Sequence, residues 1–156
     1  MTLLADAVRI HPATGLASIA AARALFEEYG CFLHDALDPD RYAAEMTALE
    51  ERYVLILLAQ TDGRPAGAVA VRTLDRDICE MKRLYCRPAF RGRGVGRALC
   101  EALIEASRAR GFTRMRLDTL ERLGEAMSLY RSLGFARIAP YNDTRLEGLV
   151  HMEKAL

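Results

Sequence analysis

Residues 91–96 read Arg-Gly-Arg-Gly-Val-Gly, and their types and spacing suit the binding of an anion. Three glycines at alternate positions let the backbone turn tightly and approach a ligand closely. The helix-like run over 95–110 directs unpaired N–H groups and the positive end of its dipole back into that turn. Phosphate is the most natural anion for such a turn. With Arg91, Arg93 and Arg97 around it, the segment predicts a site for a phosphorylated small molecule.

Two common phosphate-binding motifs fit this turn poorly. A P-loop ends in Gly-Lys-Ser/Thr, whereas this turn ends in Gly96, Arg97 and Ala98, so it lacks both the lysine and the hydroxyl. A dinucleotide-binding turn needs a third glycine where Arg97 stands, and it belongs to the first strand–helix unit of its fold. Asp118, at a later strand end, could imitate the ribose-binding acid, so the dinucleotide interpretation remains an alternative.

The elements that position this turn belong to an ordinary globular chain of 156 residues, with 51% hydrophobic and 28% charged residues. We expect one domain over 1–156. The net charge of +1 gives no reason to expect a nucleic-acid partner. No apolar run approaches the ~20 residues of a membrane span, and no secretory signal is evident, so we expect a cytoplasmic protein. Four cysteines lack the spacing of a metal or redox site and are expected to be reduced, as is usual in the cytoplasm.

Hydrophobic periodicity and turn residues predict the order β-α-α-β-β-β-α-β-α-β-β. Asp38 is the expected N-cap of the second helix, with proline after it. This order favours an α/β fold with a mixed central sheet of about seven strands, flanked by about four helices. The predicted strands are 7–10, 53–60, 66–73, 78–86, 114–119, 135–138 and 149–154; the other three helices are 16–29, 95–110 and 124–133.

Residues 80–99 resemble the acyl-CoA signature of the GNAT N-acetyltransferase superfamily. Its core pattern, Arg/Gln-x-x-Gly-x-Gly/Ala, is met by Arg91, Gly94 and Gly96. A second block over 126–135 resembles the family's Ala-x-x-x-Tyr-x-x-x-Gly-Phe. The resemblance extends from residue 53 to the C-terminus and implies a single-domain GNAT fold.

The resemblance implies an acetyl-CoA-dependent N-acetyltransferase that moves an acetyl group to a primary amine by direct attack on the thioester. It implies neither a metal nor a covalent enzyme intermediate. The acceptor is a small-molecule or peptide amine, and we favour a small molecule; a protein N-terminus or a lysine is an alternative. A non-catalytic acyl-CoA-binding regulatory module is an alternative of another class. Homodimers are common in the family, and no membrane partner is implied.

By the same resemblance, the backbone amides of 91–97 bind the pyrophosphate of coenzyme A, and the end of the preceding strand pairs with the pantetheine arm. A backbone N–H near Cys86 would stabilise the oxyanion. Leu123 stands where many members carry an asparagine that bonds the pantetheine, which puts that one contact in doubt. The expected coenzyme-binding residues are Leu84, Tyr85, Cys86, Arg91, Gly92, Arg93, Gly94, Val95, Gly96 and Arg97.

Glu80 and Tyr130 are the candidate catalytic residues. Several family members keep a carboxylate at the position of Glu80, where it would remove a proton from the amine directly or through water. Strand alternation puts Glu80, Lys82, Leu84 and Cys86 on one face, so an ion pair between Glu80 and Lys82 is the alternative role.

Tyr130 matches a tyrosine that the family often places beside the CoA sulfur. A phenol is protonated at neutral pH and can return a proton to the departing thiolate. The alternative role for Tyr130 is that of a helix tyrosine packed against the sheet. The acceptor pocket is expected to use loop residues, among them Tyr29, Phe32 and Tyr141, with His34 and Asn142 as further candidates.

Overall fold

The computed structural model describes residues 7–156, and within this range the chain forms seven strands and five α-helices. The order predicted from the sequence is confirmed, with a short extra helix, α3, after α2. Asp38 caps α2 as predicted, because its carboxylate accepts hydrogen bonds from the Asp40 and Arg41 N–H groups. The elements are β1 Arg9–Pro12, α1 Gly15–Phe32, α2 Pro39–Thr47, α3 Leu49–Arg52, β2 Leu55–Thr61, β3 Arg64–Asp75, β4 Ile78–Cys86, α4 Val95–Ala109, β5 Arg114–Leu120, α5 Gly124–Ser132, β6 Ala136–Ile138 and β7 Leu149–Ala155.

The strands form one mixed sheet in the order β1-β2-β3-β4-β5-β7-β6. Neighbouring strands are antiparallel except β4 and β5, which are parallel. Helices cover both faces: α1, α2 and α3 pack on one, and α4 and α5 pack on the other. The continuous apolar run in β2 follows from this layering, because both faces of a central strand are buried.

The parallel pair β4–β5 opens after three residue pairs. Ile78, Cys79 and Glu80 pair with residues 114–116, and beyond them the two strands share no further pairing. The rest of β4 keeps β3 as a partner and the rest of β5 keeps β7. The facing edges of 81–86 and 117–120 therefore border a gap in the middle of the sheet.

A β-bulge in β4 changes which side chains share a face. Arg83 has a φ of 63°, and the β3–β4 register shifts at this point. Met81 packs on the α4 side before the bulge and Leu84 does so after it, whereas Tyr85 packs against α1. The expectation that Glu80 shares a face with Leu84 and Cys86 is therefore wrong, because the extra residue reverses the alternation.

The bulge residue Arg83 is held by Glu45 of α2. Its guanidinium donates two hydrogen bonds of 2.8 and 2.9 Å to the carboxylate, and it lies 4.9 Å from the centroid of the Tyr42 ring. The two side chains are only 14% and 10% exposed. Although burial opposes ionisation, Arg83 holds the pKa of Glu45 below its ordinary value of 4.5.

We expect Arg83→Met to lower the free energy of unfolding by about 3 kcal/mol at pH 7, because it leaves a buried carboxylate unpaired. The double variant Glu45→Met/Arg83→Met should lose clearly less. The difference in unfolding free energy between Arg83→Met and the parent should shrink below about pH 4.5. A carboxylate with a lowered pKa loses its contribution to stability as the pH falls through that pKa. Urea unfolding at both pH values measures this; equal losses in the single and double variants would contradict it.

Candidate active site

The gap between β4 and β5 opens into a cavity of about 1350 Å³. Its walls come from the end of α1, from α2, from the turn before α4, from α5 and from the loop between β6 and β7. The cavity joins the glycine turn at one end to a cluster of charged side chains beside the sheet opening. One elongated ligand could therefore contact both ends.

The glycine turn has the geometry of an anion site. Gly92 and Gly94 both adopt a φ of 78°, and α4 begins directly after them at Val95. Ala98 N–H bonds Gly94 O at 3.0 Å, which leaves the N–H groups of 95–97 at the free end of the helix. Val95, Gly96 and Arg97 all line the cavity, so these donors and the positive end of the helix lie at its wall.

The three arginines of this turn are arranged differently from one another. Arg91 and Arg97 line the cavity; Arg97 is fixed by Ser132 Oγ at 2.5 Å, and Arg91 donates to the Cys86 carbonyl at 3.3 Å. Arg93 instead pairs with Asp62 in the β2–β3 turn at 2.8 Å and does not line the cavity. The role of Arg93 at the ligand site stays a prediction, and its ion pair with Asp62 would compete with a bound anion for the guanidinium.

Leu84, Tyr85 and Cys86 line the cavity along the free edge of β4, as expected from the sequence. On the side away from β3 this edge has no pairing with β5, because that pairing ends at Glu80. The Tyr85 ring packs against the Tyr29 ring with 5.9 Å between centroids, so the α1 side of this edge is closed by aromatic groups.

Glu80 is fully buried and does not line the cavity. One carboxylate oxygen accepts a 2.7 Å hydrogen bond from Arg72 Nε, and the other accepts a 2.5 Å bond from the Tyr141 hydroxyl. Lys82 Nζ lies 3.9 Å away, so the ion pair considered from the sequence is a long one. These surroundings do not suit direct removal of a proton from a bound amine.

Asp118 of β5 is the carboxylate that reaches the cavity beside the sheet opening. It lies 3.3 Å from Lys82 Nζ and accepts a 2.9 Å hydrogen bond from the Asn142 amide. The Asn142 carbonyl oxygen is 3.2 Å from His151 Nε2, which holds the amide in place. Burial opposes ionisation, but Lys82 and Asn142 hold the pKa of Asp118 below its ordinary value.

Tyr130 of α5 lines the cavity with little exposure, packing edge-to-face on Phe135 at 5.9 Å. Burial raises its pKa well above 10, and the charges of Asp118 and of an ionised Tyr29 would raise it further. Its hydroxyl has no hydrogen-bond partner among residues 7–156. Tyr130 is thus a protonated phenol that faces the cavity with its donor free.

The expected acceptor residues divide into two groups. Tyr29 and Phe32 line the cavity, and Asn142 does so through its contact with Asp118. Tyr141 does not line it, because its hydroxyl is turned to Glu80 and its ring packs on His151 at 4.9 Å. His34 also lies outside the cavity.

Three of the four cysteines, Cys79, Cys86 and Cys100, are buried or half-buried and have the environment of structural thiols rather than of a nucleophile, whereas Cys31 is exposed. Burial raises the pKa of Cys79 to about 11 and that of Cys100 to about 12. Burial also raises the pKa of Cys86, the one thiol that lines the cavity. Over residues 7–156, no group of three His, Cys, Asp or Glu side chains is arranged to hold a metal ion, and no helix could cross a membrane.

The sequence did not lead us to expect one cluster of charged site residues made of Arg72, Lys82 and Asp118. A signal was present: charged residues alternate at 80 and 82 in one predicted strand and at 116 and 118 in the next strand along the chain, and the structure pairs these strands in parallel. In parallel neighbours, these four positions lie on one face near each other. Such charges inside a sheet with both faces covered predict a buried ionic cluster.

Comparisons with known proteins agree with this architecture. A family model described as the acetyltransferase (GNAT) family matches residues 19–135. An uncharacterized N-acetyltransferase of Schizosaccharomyces pombe is 35% identical over 128 residues, which cover 81% of this chain and 78% of that protein.

Solved structures share the fold over nearly the whole chain. An acetyltransferase of the GNAT family from Staphylococcus aureus has a TM-score of 0.79 at 16% identity, covering 96% of this chain and 99% of its own. A Salmonella typhimurium protein solved with its cofactor acetyl-CoA has a TM-score of 0.70 at 25% identity, covering 96% of this chain and 94% of its own.

Proposed function

This chain belongs to the acetyltransferase (GNAT) family and is an acyltransferase, and we propose that it transfers the acetyl group of acetyl-CoA to the primary amine of a small molecule. One observation carries the proposal: the cavity connects the helix N-terminus at Val95 to the opening between β4 and β5. The Salmonella relative that binds acetyl-CoA supports the same co-substrate here.

In this proposal the N–H groups of 95–97, with the Arg91 and Arg97 side chains, bind the diphosphate of coenzyme A. The pantetheine arm runs along the free edge of β4 at Leu84, Tyr85 and Cys86, as an added strand would. That direction brings the thioester to the sheet opening. A backbone N–H near Cys86 donates to the oxyanion as the amine attacks.

The reaction forms a C–N bond and breaks the thioester C–S bond. Two protons leave the nitrogen of the ammonium, one before the attack and one after it, and one proton reaches the thiolate, so one proton is released to water overall. Tyr130 gives its phenolic proton to the thiolate, since it is protonated and faces the cavity. Asp118 stays ionised because its pKa is lowered, so it accepts a hydrogen bond from the ammonium while water takes up the first proton. The second proton, which leaves the nitrogen after the attack, restores the Tyr130 phenol. Glu80 acts through Arg72 and Tyr141, as a positioning residue.

We extend the proposal to the whole chain as one acetyltransferase domain, since the sheet runs from Arg9 to Ala155. The walls that α1, α2 and the β6–β7 loop place around the acceptor end favour a small amine over a protein substrate. The four unpaired cysteines of the chain support a reducing, cytoplasmic setting.

The test is release of free CoA thiol from acetyl-CoA in the presence of a broad amine panel. We expect amine-dependent release, with the acetylated amine identified by mass spectrometry. Coenzyme A at 100 times its dissociation constant should also stabilise the fold by roughly 2.7 kcal/mol. Binding without release across the panel would favour the non-catalytic acyl-CoA-binding module, and absence of binding would contradict both interpretations.

A further inference from the structure

Arg72 has two unused hydrogen-bond donor groups at the wall of the cavity. Its Nε bonds Glu80 Oε1 at 2.7 Å, which fixes the plane of the guanidinium. Its two terminal amino groups have no acceptor among residues 7–156, and its side chain is 43% exposed at the cavity wall. An arginine held at Nε with both terminal groups free presents a fork that matches a carboxylate.

Glu80 and Tyr141 explain why this fork is rigid. The Tyr141 hydroxyl donates to the second oxygen of Glu80, so neither end of that carboxylate can turn away from Arg72. The carboxylate itself is fully buried. Arg41 and Arg52 also line the cavity, but both are exposed and no carboxylate of residues 7–156 orients them. Arg83 and Lys82 line the cavity too, but Arg83 uses Nε and one terminal group on Glu45 and Lys82 pairs with Asp118, whereas Arg72 is held at Nε alone.

The position of Arg72 separates it from the diphosphate site. It pairs with Glu80, whereas the glycine turn follows Cys86 at the other end of β4. Six residues of strand span about 20 Å. The phosphates of coenzyme A bound at 95–97 would therefore lie far from Arg72, which leaves its fork to the acceptor.

Asp118 supplies the complementary charge near the fork. Lys82 lies between Asp118 and Glu80, the carboxylate that holds Arg72, since its ammonium is 3.3 Å from Asp118 and 3.9 Å from Glu80. An acceptor with an ammonium directed to Asp118 and an anion directed to Arg72 would satisfy both groups. The cluster of Arg72, Lys82, Glu80 and Asp118 is already balanced in charge, so a zwitterion enters it without adding net charge.

We infer that the acceptor is an amine that carries a carboxylate on the same small molecule, and that Arg72 binds this carboxylate through its two terminal amino groups. The inference rests on the proposed acetyltransferase function and names the acceptor class for that site. It also disfavours peptide N-termini, because there a peptide bond replaces the carboxylate.

The test compares matched amine pairs that differ only in carboxylate against carboxamide: glycine with glycinamide, and β-alanine with β-alaninamide. At neutral pH the less basic amides have the larger fraction of free amine, so a preference for the acids cannot come from the amount of free amine. Of glycine and β-alanine, the one with the higher kcat/KM should exceed the kcat/KM of its own amide by at least about 30-fold, with acetyl-CoA as the donor. Arg72→Met should reduce that ratio to about threefold or less, mainly through KM for the amine, with KM for acetyl-CoA unchanged.

Arg114→Met is the matched control, because Arg114 also pairs with a strand carboxylate but lies outside the cavity. It should keep the full ratio. Arg72→Lys, which retains a cation beside Glu80 but loses the fork, should lower the ratio and serves if Arg72→Met does not fold. A wild-type ratio near one, or an unchanged ratio in a folded Arg72 variant, would overturn the inference.

Failure of the proposed function looks different from failure of this inference. If carboxamides and simple alkylamines are acetylated as fast as the acids, the acetyltransferase stands and the inference alone is wrong. If no amine of any kind releases CoA thiol, the proposed function fails and the inference fails with it.

Discussion

Tyr130→Phe is expected to lower kcat by at least about 100-fold, the usual lower range for loss of a general acid, while the dissociation constant of acetyl-CoA stays within about twofold. The physical reason lies in the hydroxyl. It faces the cavity with no protein partner, and burial keeps its pKa well above 10, so it holds a proton throughout the physiological range. Without it the thiolate must leave unprotonated.

The substitution leaves the packing of the ring intact. Tyr130 makes an edge-to-face contact with Phe135, and a phenylalanine can keep that contact. Because no hydrogen bond of the hydroxyl is lost within residues 7–156, we expect little change in stability. The fall in kcat is therefore separable from misfolding by comparing thermal melts of the two proteins.

Tyr29→Phe provides the comparison within the same cavity. The Tyr29 ring packs on Tyr85 at the α1 wall. Loss of the Tyr29 hydroxyl should affect KM for the amine more than kcat. Steady-state kinetics of both variants with one amine decide the assignment: equal kcat values for Tyr130→Phe and the parent would remove the acid role from this residue.

The parts of the site that are local in sequence could be predicted from the sequence. The glycine turn and the helix after it occupy neighbouring positions, so composition and spacing were enough to predict a tight turn directly before a helix that begins at Val95. The prediction for Tyr130 came from the resemblance of residues 126–135 to a family pattern, most of which lies in the helix α5. Both features depend on backbone geometry that a few adjacent residues determine.

The roles of Glu80 and Asp118 depend on contacts between distant segments and could not be read in the same way. Strand alternation assumes a regular strand, and the bulge at Arg83 breaks it. Arg72 reaches Glu80 from the neighbouring strand β3, and Tyr141 reaches it from a loop 61 positions away. A single sequence shows that these groups are polar, but it does not show that one carboxylate is enclosed while the other faces the cavity.

The second large effect, on the affinity for coenzyme A, is expected from substitutions of Gly94. At this position a negative charge can be introduced while the backbone conformation stays nearly constant. Gly94 has a φ of 78°, and a Cβ built there meets no atom within 4 Å. Among residues other than glycine, Asn and Asp adopt this conformation most readily. Gly94→Asn and Gly94→Asp therefore share similar strain and size and differ in one negative charge beside the N–H groups of 95–97.

We expect Gly94→Asp to raise the dissociation constant of coenzyme A by at least about 100-fold, because charge-assisted bonds to an anion contribute about 1.5–3 kcal/mol each and tenfold in affinity is 1.4 kcal/mol. Gly94→Asn should lose no more than about tenfold. Loss of the helix cannot explain the difference, since an acidic residue near a helix N-terminus favours α4. Calorimetric titration with coenzyme A measures the affinity of each variant. Equal affinities of Gly94→Asp and Gly94→Asn would mean that the turn before α4 is not where the diphosphate binds.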